Sequence, residues 1–534
     1  MAAEEPGESA TAALRRTRLA LFALLLLVCG WFHQGGGWNQ NVRFAQVRAI
    51  VESGRLSIDD YLLYTLEVGE DGIARYQRVT ISNPGARSMR LPRAVSFDLS
   101  QYRGHLYPNK PPGVTLLALP GYALALTATR AVGADPDDAW TQTLCLYITT
   151  LLSVGLLAAL GGLVFHDVAR RLFPEAPPAA HLAASLAYAL GTPVLAYATF
   201  LIDISVVATL SLLALRFLLV ARATSVRQDR LLLLAGGCAG LAVVVNNSAA
   251  LTVLALGVYT LAVLPGLRPA LVYAAGGVGP ALLLGAYQWV CFGSPFELPQ
   301  QHQLTMFQTG APLLGVFGAA SWEVLPKLLF LPYRGLFFWS PVLLPAAFAL
   351  MALFRRRWLR PEVLLIGGVF LAYLWMNASF NAWHAGGTFG PRYLLPAVPF
   401  LALPLVIAFQ RAPVVTVLFA TVSVALSLLV TSVSPQVNAA VHRPLTEFYL
   451  PLARGETVKS GSFSLRGPVS VRPVGFAVSG LETVSGESEI ARWSSFNLGE
   501  LLFPERWASL LPLALLAVLI WALGLRPRRA AGKS

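Results

Sequence analysis

The chain has 534 residues, 56% hydrophobic and only 13% charged, with 40 Lys and Arg against 27 Asp and Glu for a net charge of +13. Its mean hydropathy is +0.61. A soluble domain carries about 25% charged residues, so this composition excludes one.

Apolar runs recur along the whole length, each long enough to cross about 30 Å of hydrocarbon. Lipid offers the backbone no hydrogen-bond partner, so such spans are helices. An outer-membrane barrel would need alternating segments of roughly ten residues, and the sequence has none. Lys and Arg punctuate the apolar runs, which reads as topology signals and phospholipid contact, not nucleic-acid binding. Cys29, Cys145, Cys238 and Cys291 lie in or beside apolar segments without CxxC spacing. They read as packing residues rather than as a disulfide framework or a zinc site.

In chain order, residues 1–17 are expected to be a cytoplasmic tail. Arg15, Arg16 and Arg18 precede an uncleaved signal anchor over 18–33, so the N-terminus is cytoplasmic. Residues 34–131 are then extracytoplasmic. In "WNQNVRFAQVRAIVESGRLSIDD", Val42, Ala45, Val47, Ala49 and Ile50 predict an amphipathic helix lying along the membrane, followed by the carboxylates Glu52, Asp59 and Asp60. Next comes "AVSFDLSQYRGHLYPNKPPG", with Asp98, His105, Tyr107 and Lys110 in a short span. Pro111 and Pro112 stiffen the approach and pin Lys110 at the start of an apolar helix. If 113–130 crossed the bilayer, "HDVARRLF" would face outward. If that helix lies in the outer interface, Arg170, Arg171 and the basic loops 221–230, 265–269, 354–362, 409–413 and 526–534 are all cytoplasmic. Only this second threading obeys the positive-inside rule throughout.

The expected fold is therefore all-α and polytopic, with about twelve transmembrane helices near 18–33, 140–165, 179–196, 203–221, 231–246, 248–265, 270–291, 336–354, 362–378, 393–410, 412–432 and 508–525. The bundle 140–432 carries outer loops 292–335 and 377–392. Residues 433–507 form an outer loop or small domain with a few short strands. Trp38, Trp140, Trp383 and Trp507 suit headgroup depth. No internal repeat of the transporter kind is visible. The short cytoplasmic loops hold no phosphate-binding or dinucleotide motif, so chemistry belongs on the outer face.

"NKPPGVTLLALPGY", the basic-ended span "VFHDVARRLF", "VRFAQVRAIVESGRL", "LGTPVLAYATF", "PYRGLFFWSP", "GGTFGPRYLLPAVPF" and "FNLGELLFPERWASLLPL" occur in an order that resembles the GT-C superfamily of membrane glycosyltransferases. That superfamily includes protein O-mannosyltransferases and the bacterial aminoarabinose transferases that modify lipid A. The resemblance implies sugar transfer, with inversion, from a polyprenyl-phosphate donor to an extracytoplasmic acceptor (lipid, glycan or protein) at a bacterial inner membrane. It assigns Lys110 and Arg392 to the donor phosphate. The family's acidic pair after the first span is replaced here by Gln40 and Asn41, and an amide is no base at neutral pH. Asp98, which shares a loop with Lys110, is the first alternative base. Asp59 and Asp60 are second, and Asp203 in "ATFLIDIS" is third as an ionisable residue near a span end. His105, Tyr107 and His384 are further pocket candidates. His302, Glu297 and Glu323 show no metal-ligand spacing; no cofactor is certain, and a divalent cation is left open. Two alternatives stand beside the enzyme. One is a non-catalytic relative that binds or flips a lipid-linked sugar, or scaffolds an envelope assembly, as the Gln40–Asn41 replacement would allow. The other is an ion-coupled transporter, which would need more charges deep in the spans. Expected partners are the donor, the acceptor and membrane lipids; the oligomeric state is open.

Overall fold

The structure is a computed structural model describing residues 8–68, 74–79, 93–94, 96–304, 311, 316–460, 463–471, 478–485, 496–503 and 506–525. The expected C-terminal tail 526–534, the beginning of the N-terminal tail, parts of the loops 34–131, 292–335 and 433–507, and the Trp507 side chain lie outside the described residues.

Among the described residues, seven helices are long and apolar enough to cross a membrane: Gly113–Ala131, Trp140–Leu172, Ile204–Ala223, Gln228–Val245, Arg268–Phe292, Arg357–Ser379 and Pro413–Val433. An eighth span arises if Arg392–Leu401 and Leu405–Arg411, bent by 56°, count as one. The bend falls just before Pro404, which has no N–H to continue the ladder. The sequence leads to an expectation of about twelve. The first helix, Glu8–Trp31, carries Arg15, Arg16 and Arg18 in its own first half. The helix over 179–196 stops at Leu190, ahead of Gly191 and Pro193. The one over 336–354 is divided at Ser340–Pro341 into Leu336–Trp339 and Leu343–Leu353. Asn247–Val263 and Leu511–Leu525 are apolar but shorter than the others. Gly113–Ala131, expected to lie along the outer face, is long and apolar enough to span.

The helix Trp38–Ser53 differs from a surface amphipathic helix. Its buried residues include Gln40, Asn41, Arg43, Gln46 and Arg48 as well as the apolar set. Polar side chains are enclosed here because partners from distant segments meet them. Arg48 Nε bonds Glu52 Oε1 at 2.8 Å and its Nη2 bonds Asp137 Oδ1 at 3.1 Å. Tyr122 Oη donates to Glu52 Oε1 at 2.5 Å, tying this helix to Gly113–Ala131.

The expected strands near the C-terminus are present as an antiparallel sheet of Thr457–Ser460, Phe463–Val471 and Val478–Ser485. Further strands occupy the first outer loop. Leu63–Val68 pairs with Ala74–Val79 and Arg93–Ala94, and Leu99–Tyr102 pairs with His105–Pro108. Phe32–His33, just past the first helix, pairs with Phe496–Asn497 near the other end of the chain.

Candidate functional site

The second hairpin positions Asp98 and Lys110. Its two-residue turn, Arg103 (φ 49°) and Gly104 (φ 83°), is left-handed at both positions, the conformation that tight hairpins need and glycine adopts without steric cost. The register pairs Tyr102 with His105 and Leu99 with Pro108. Beyond the ladder, Asn109 N–H donates to Asp98 O at 3.0 Å. The two residues flanking the hairpin therefore meet, with Lys110 Nζ 3.4 Å from Asp98 Oδ2 and both side chains mostly buried. Pro111 and Pro112 then lead straight into Gly113–Ala131.

Pro111 O faces Arg43 Nη1 at 3.5 Å. Arg43 is fully buried, and its Nε donates to Asn39 Oδ1 at 3.0 Å. Its Nη2 meets Asp203 Oδ2 at 3.1 Å, and the same oxygen accepts from Asn246 Nδ2 at 2.8 Å. Burial pushes the Arg43 guanidinium down from its ordinary value, and Asp203 and then Asp98 push it back. A buried charge of this kind persists only where paired and hydrogen-bonded.

Arg392 follows Gly390 (φ 62°) and Pro391. Its guanidinium lies 5.0 Å from the Tyr393 ring centroid and donates to Tyr393 Oη at 3.2 Å. Arg43 feels its charge, and Arg392 in turn feels Asp203 and Tyr197. Arg334, fully buried, lies in the same field. It clamps the 384–386 turn, with Nε donating to His384 O at 2.9 Å and Nη2 to Gly386 O at 3.0 Å. Among the described residues neither Arg334 nor Arg392 has a carboxylate within ion-pair distance. His384 Nδ1 accepts from Gly386 N–H at 3.1 Å. Burial, then Arg334 and Arg392, holds its imidazole below the usual histidine range. Among the described residues, Lys110 and Arg43 each have a carboxylate partner, Asp98 and Asp203, whereas Arg392 and Arg334 have none within ion-pair distance.

The remaining candidates lie differently. Gln40 is an anchor: its Nε2 donates to Gln34 O at 2.8 Å and Gly36 O at 3.1 Å, and its Oε1 accepts from Leu201 N–H at 2.6 Å. Asn41 is buried beside it. Asp59 is engaged by His105 Nδ1 at 2.7 Å and Leu106 N–H at 2.8 Å, and Asp60 pairs with the exposed Arg55 at 3.2 Å. Tyr107 packs on Phe292 at 5.4 Å between centroids. His302 stacks on the same ring, with Nε2 3.1 Å from Glu297 Oε1. Among the described residues no group of three His, Cys, Asp or Glu is arranged to hold a metal ion. Sequence reasoning missed Arg43, Asn246 and Arg334. Each lies inside a largely apolar or aromatic stretch ("VRFAQV", "VVVNNSAA", "PYRGLFFW"), and a lone charge or an amide pair there is the signal that could have found them.

No family model matches the sequence, and no curated protein matches it. Among solved structures, the chain is similar to ArnT from Cupriavidus metallidurans bound to undecaprenyl phosphate, at 18% identity and TM-score 0.47, over 79% of this chain and 64% of that one. It is also similar to the archaeal oligosaccharyltransferase AglB from Archaeoglobus fulgidus in complex with an inhibitory peptide and a dolichol-phosphate, at 13% identity and TM-score 0.41, over 82% of this chain and 57% of that one. The chain spans less than two thirds of the length of either.

Proposed function

We propose that the chain is a multi-pass glycosyltransferase of a bacterial inner membrane, with both termini cytoplasmic, that moves a sugar from a polyprenyl-phosphate donor to an acceptor on the extracytoplasmic side. The observation that carries this reading is the pair Lys110 and Arg43 at the start of an apolar helix, with Arg392, which has no carboxylate within ion-pair distance among the described residues, in the electrostatic field of Arg43. A polyprenyl tail belongs in hydrocarbon and its phosphate at the interface. Lys110 and Arg392 would hold that phosphate, the guanidinium fork spanning two of its oxygens. As the acceptor oxygen bonds to the anomeric carbon, the bond from that carbon to the phosphate oxygen breaks. Negative charge then grows on the departing polyprenyl phosphate, where fixed cations in a low-dielectric site favour it. The acceptor hydroxyl proton goes to Asp98. Donor entry would exchange the Lys110–Asp98 contact for a Lys110–phosphate contact and leave the carboxylate to the acceptor. The commitments of Asp59 and Asp60 to His105, Leu106 and Arg55 favour Asp98 over them. Both donors at Asp203 Oδ2 favour a holding role for that residue.

One observation favours a second reading. Gln40, where the resemblance expects a carboxylate, is committed to three backbone groups. A protein that binds or flips a lipid-linked sugar, or scaffolds an envelope assembly, would need no base there. The test is turnover in liposomes supplied with mixed polyprenyl-phosphate sugars and an envelope extract, following free polyprenyl phosphate by mass spectrometry. Lys110→Ala is expected to weaken donor binding by about 1.5–3 kcal/mol, the worth of a charge-assisted contact. Asp98→Asn is expected to slow release about 10²–10⁴-fold with binding kept. Donor binding without release by the wild type would discard transfer in favour of the second reading.

A further inference from the structure

Three amide side chains in this region have a nitrogen end or a neighbouring backbone that is held, and a carbonyl oxygen that is not. Gln46 is almost fully buried. Its Nε2 donates to Leu56 O at 3.1 Å and to Tyr287 Oη at 2.8 Å, while its Oε1 is buried with no hydrogen-bond partner. Gln300 Nε2 donates to Asn109 O at 3.2 Å, and its Oε1 is likewise buried and unmatched. Asn109, also buried, has an unmatched Oδ1. The orientation of both glutamines is set by the carbonyls their nitrogens serve, because a flipped amide would aim oxygen at oxygen. Buried acceptors without donors are rare and call for an explanation.

Their placement is built by the fold. Ser100 Oγ donates to Pro299 O at 2.5 Å, and Leu304 N–H donates to Leu99 O at 3.3 Å. These bonds strap the 299–304 segment onto the hairpin and bring Gln300 against Asn109, the neighbour of Lys110. Gln46 lies one helical turn from Arg43 and shares its face. Tyr287, which Gln46 bonds, is also in the electrostatic field of Arg43. Asn109 and Gln300 therefore lie beside Lys110, one of the two cations assigned to the donor phosphate, and Gln46 lies beside Arg43.

We infer that Gln46, Asn109 and Gln300 form a subsite for the hydroxyl groups of the lipid-linked sugar, an inference that rests on the donor reading above. A sugar joined to phosphate presents O–H donors within a few ångströms of the phosphate oxygens. Unfilled carbonyl acceptors beside a phosphate-binding cation match that order of charge and hydrogen bonding. A metal ion suits them less, since Arg43 and Lys110 would repel it and Asp98 is paired with Lys110. The hydroxyls would fill acceptors that the protein leaves bare, so the sugar contributes to affinity beyond the phosphate.

The test uses the full chain in nanodiscs and measures Kd for undecaprenyl phosphate and for its glucose, mannose, galactose and N-acetylglucosamine monophosphodiesters. At least one sugar is expected to bind about tenfold more tightly than the bare lipid phosphate, the worth of one or two hydrogen bonds. Gln300→Met should abolish most of that gain and leave bare undecaprenyl phosphate binding unchanged; Gln46→Met should do the same if Gln300→Met fails to fold. Equal affinity of all five lipids for the wild type would overturn the subsite and leave its oxygens to water. An equal loss for sugar-bearing and bare lipids in both variants would make these amides structural and overturn it too. Wild-type protein that binds none of the five would instead sink the donor reading.

Discussion

Asp203→Asn removes the only carboxylate that, among the described residues, contacts a guanidinium that is 0% exposed, while the Asp203 side chain itself is only 9% exposed. Breaking a buried ion pair from one side costs about 3–5 kcal/mol, because the remaining charge stays desolvated. The lower end, about 3 kcal/mol, is expected here, since the amide oxygen still accepts one of the two hydrogen bonds that Asp203 Oδ2 receives from Arg43 and Asn246. Arg43→Met strands the carboxylate and should cost a similar amount. The double variant Arg43→Met/Asp203→Asn removes both charges and should cost clearly less than the two singles together. Denaturant unfolding in detergent micelles, followed by the fluorescence of the 12 tryptophans, reads all four proteins. Single losses below about 1 kcal/mol, typical of exposed pairs, would refute the reasoning. So would double-variant losses that add to within about 0.5 kcal/mol, as independent sites do.

Gly113→Ala would place a Cβ 2.7 Å from Val244 O and from Val245 Cα. Neither backbone atom can move aside cheaply, so a loss of about 1–3 kcal/mol is expected in the same unfolding assay; an unchanged midpoint would show that the helix start is not seated against that strand of backbone. Gln40→Glu loses both donations to Gln34 O and Gly36 O and turns an oxygen toward a carbonyl, for an expected loss of about 2–3 kcal/mol. It should bring no rise in donor turnover, and a rise would contradict Gln40's anchoring role. Because burial and the two arginines hold His384 below its ordinary value, the folded protein declines a proton that the unfolded chain accepts below about pH 6.5. Stability should therefore fall on acidification below that pH and be indifferent to His384 above it. His384→Gln should flatten this part of the pH–stability curve, and an identical curve would remove His384 as its source.

Local chemistry in the sequence determined the class of the protein. Scarce charge and long apolar runs admit only helices across a bilayer, and Pro111 and Pro112 place Lys110 at a helix start without any tertiary information. Gly/Ser-punctuated alternation after Ser434 was likewise enough to expect the short strands there. Periodicity could not reveal that the helix Trp38–Ser53 is enclosed. Its Arg43 is tolerable in the interior only because Asp203, 160 residues away, meets it. Nor could it show that Gln40 is held by Leu201 across 161 residues, or that the hairpin closes Asp98 onto Lys110. A buried charge or amide costs free energy that only a partner can offset. For these side chains the partner comes from another part of the chain, so the tertiary structure alone decided which polar residues are interior and which of them meet.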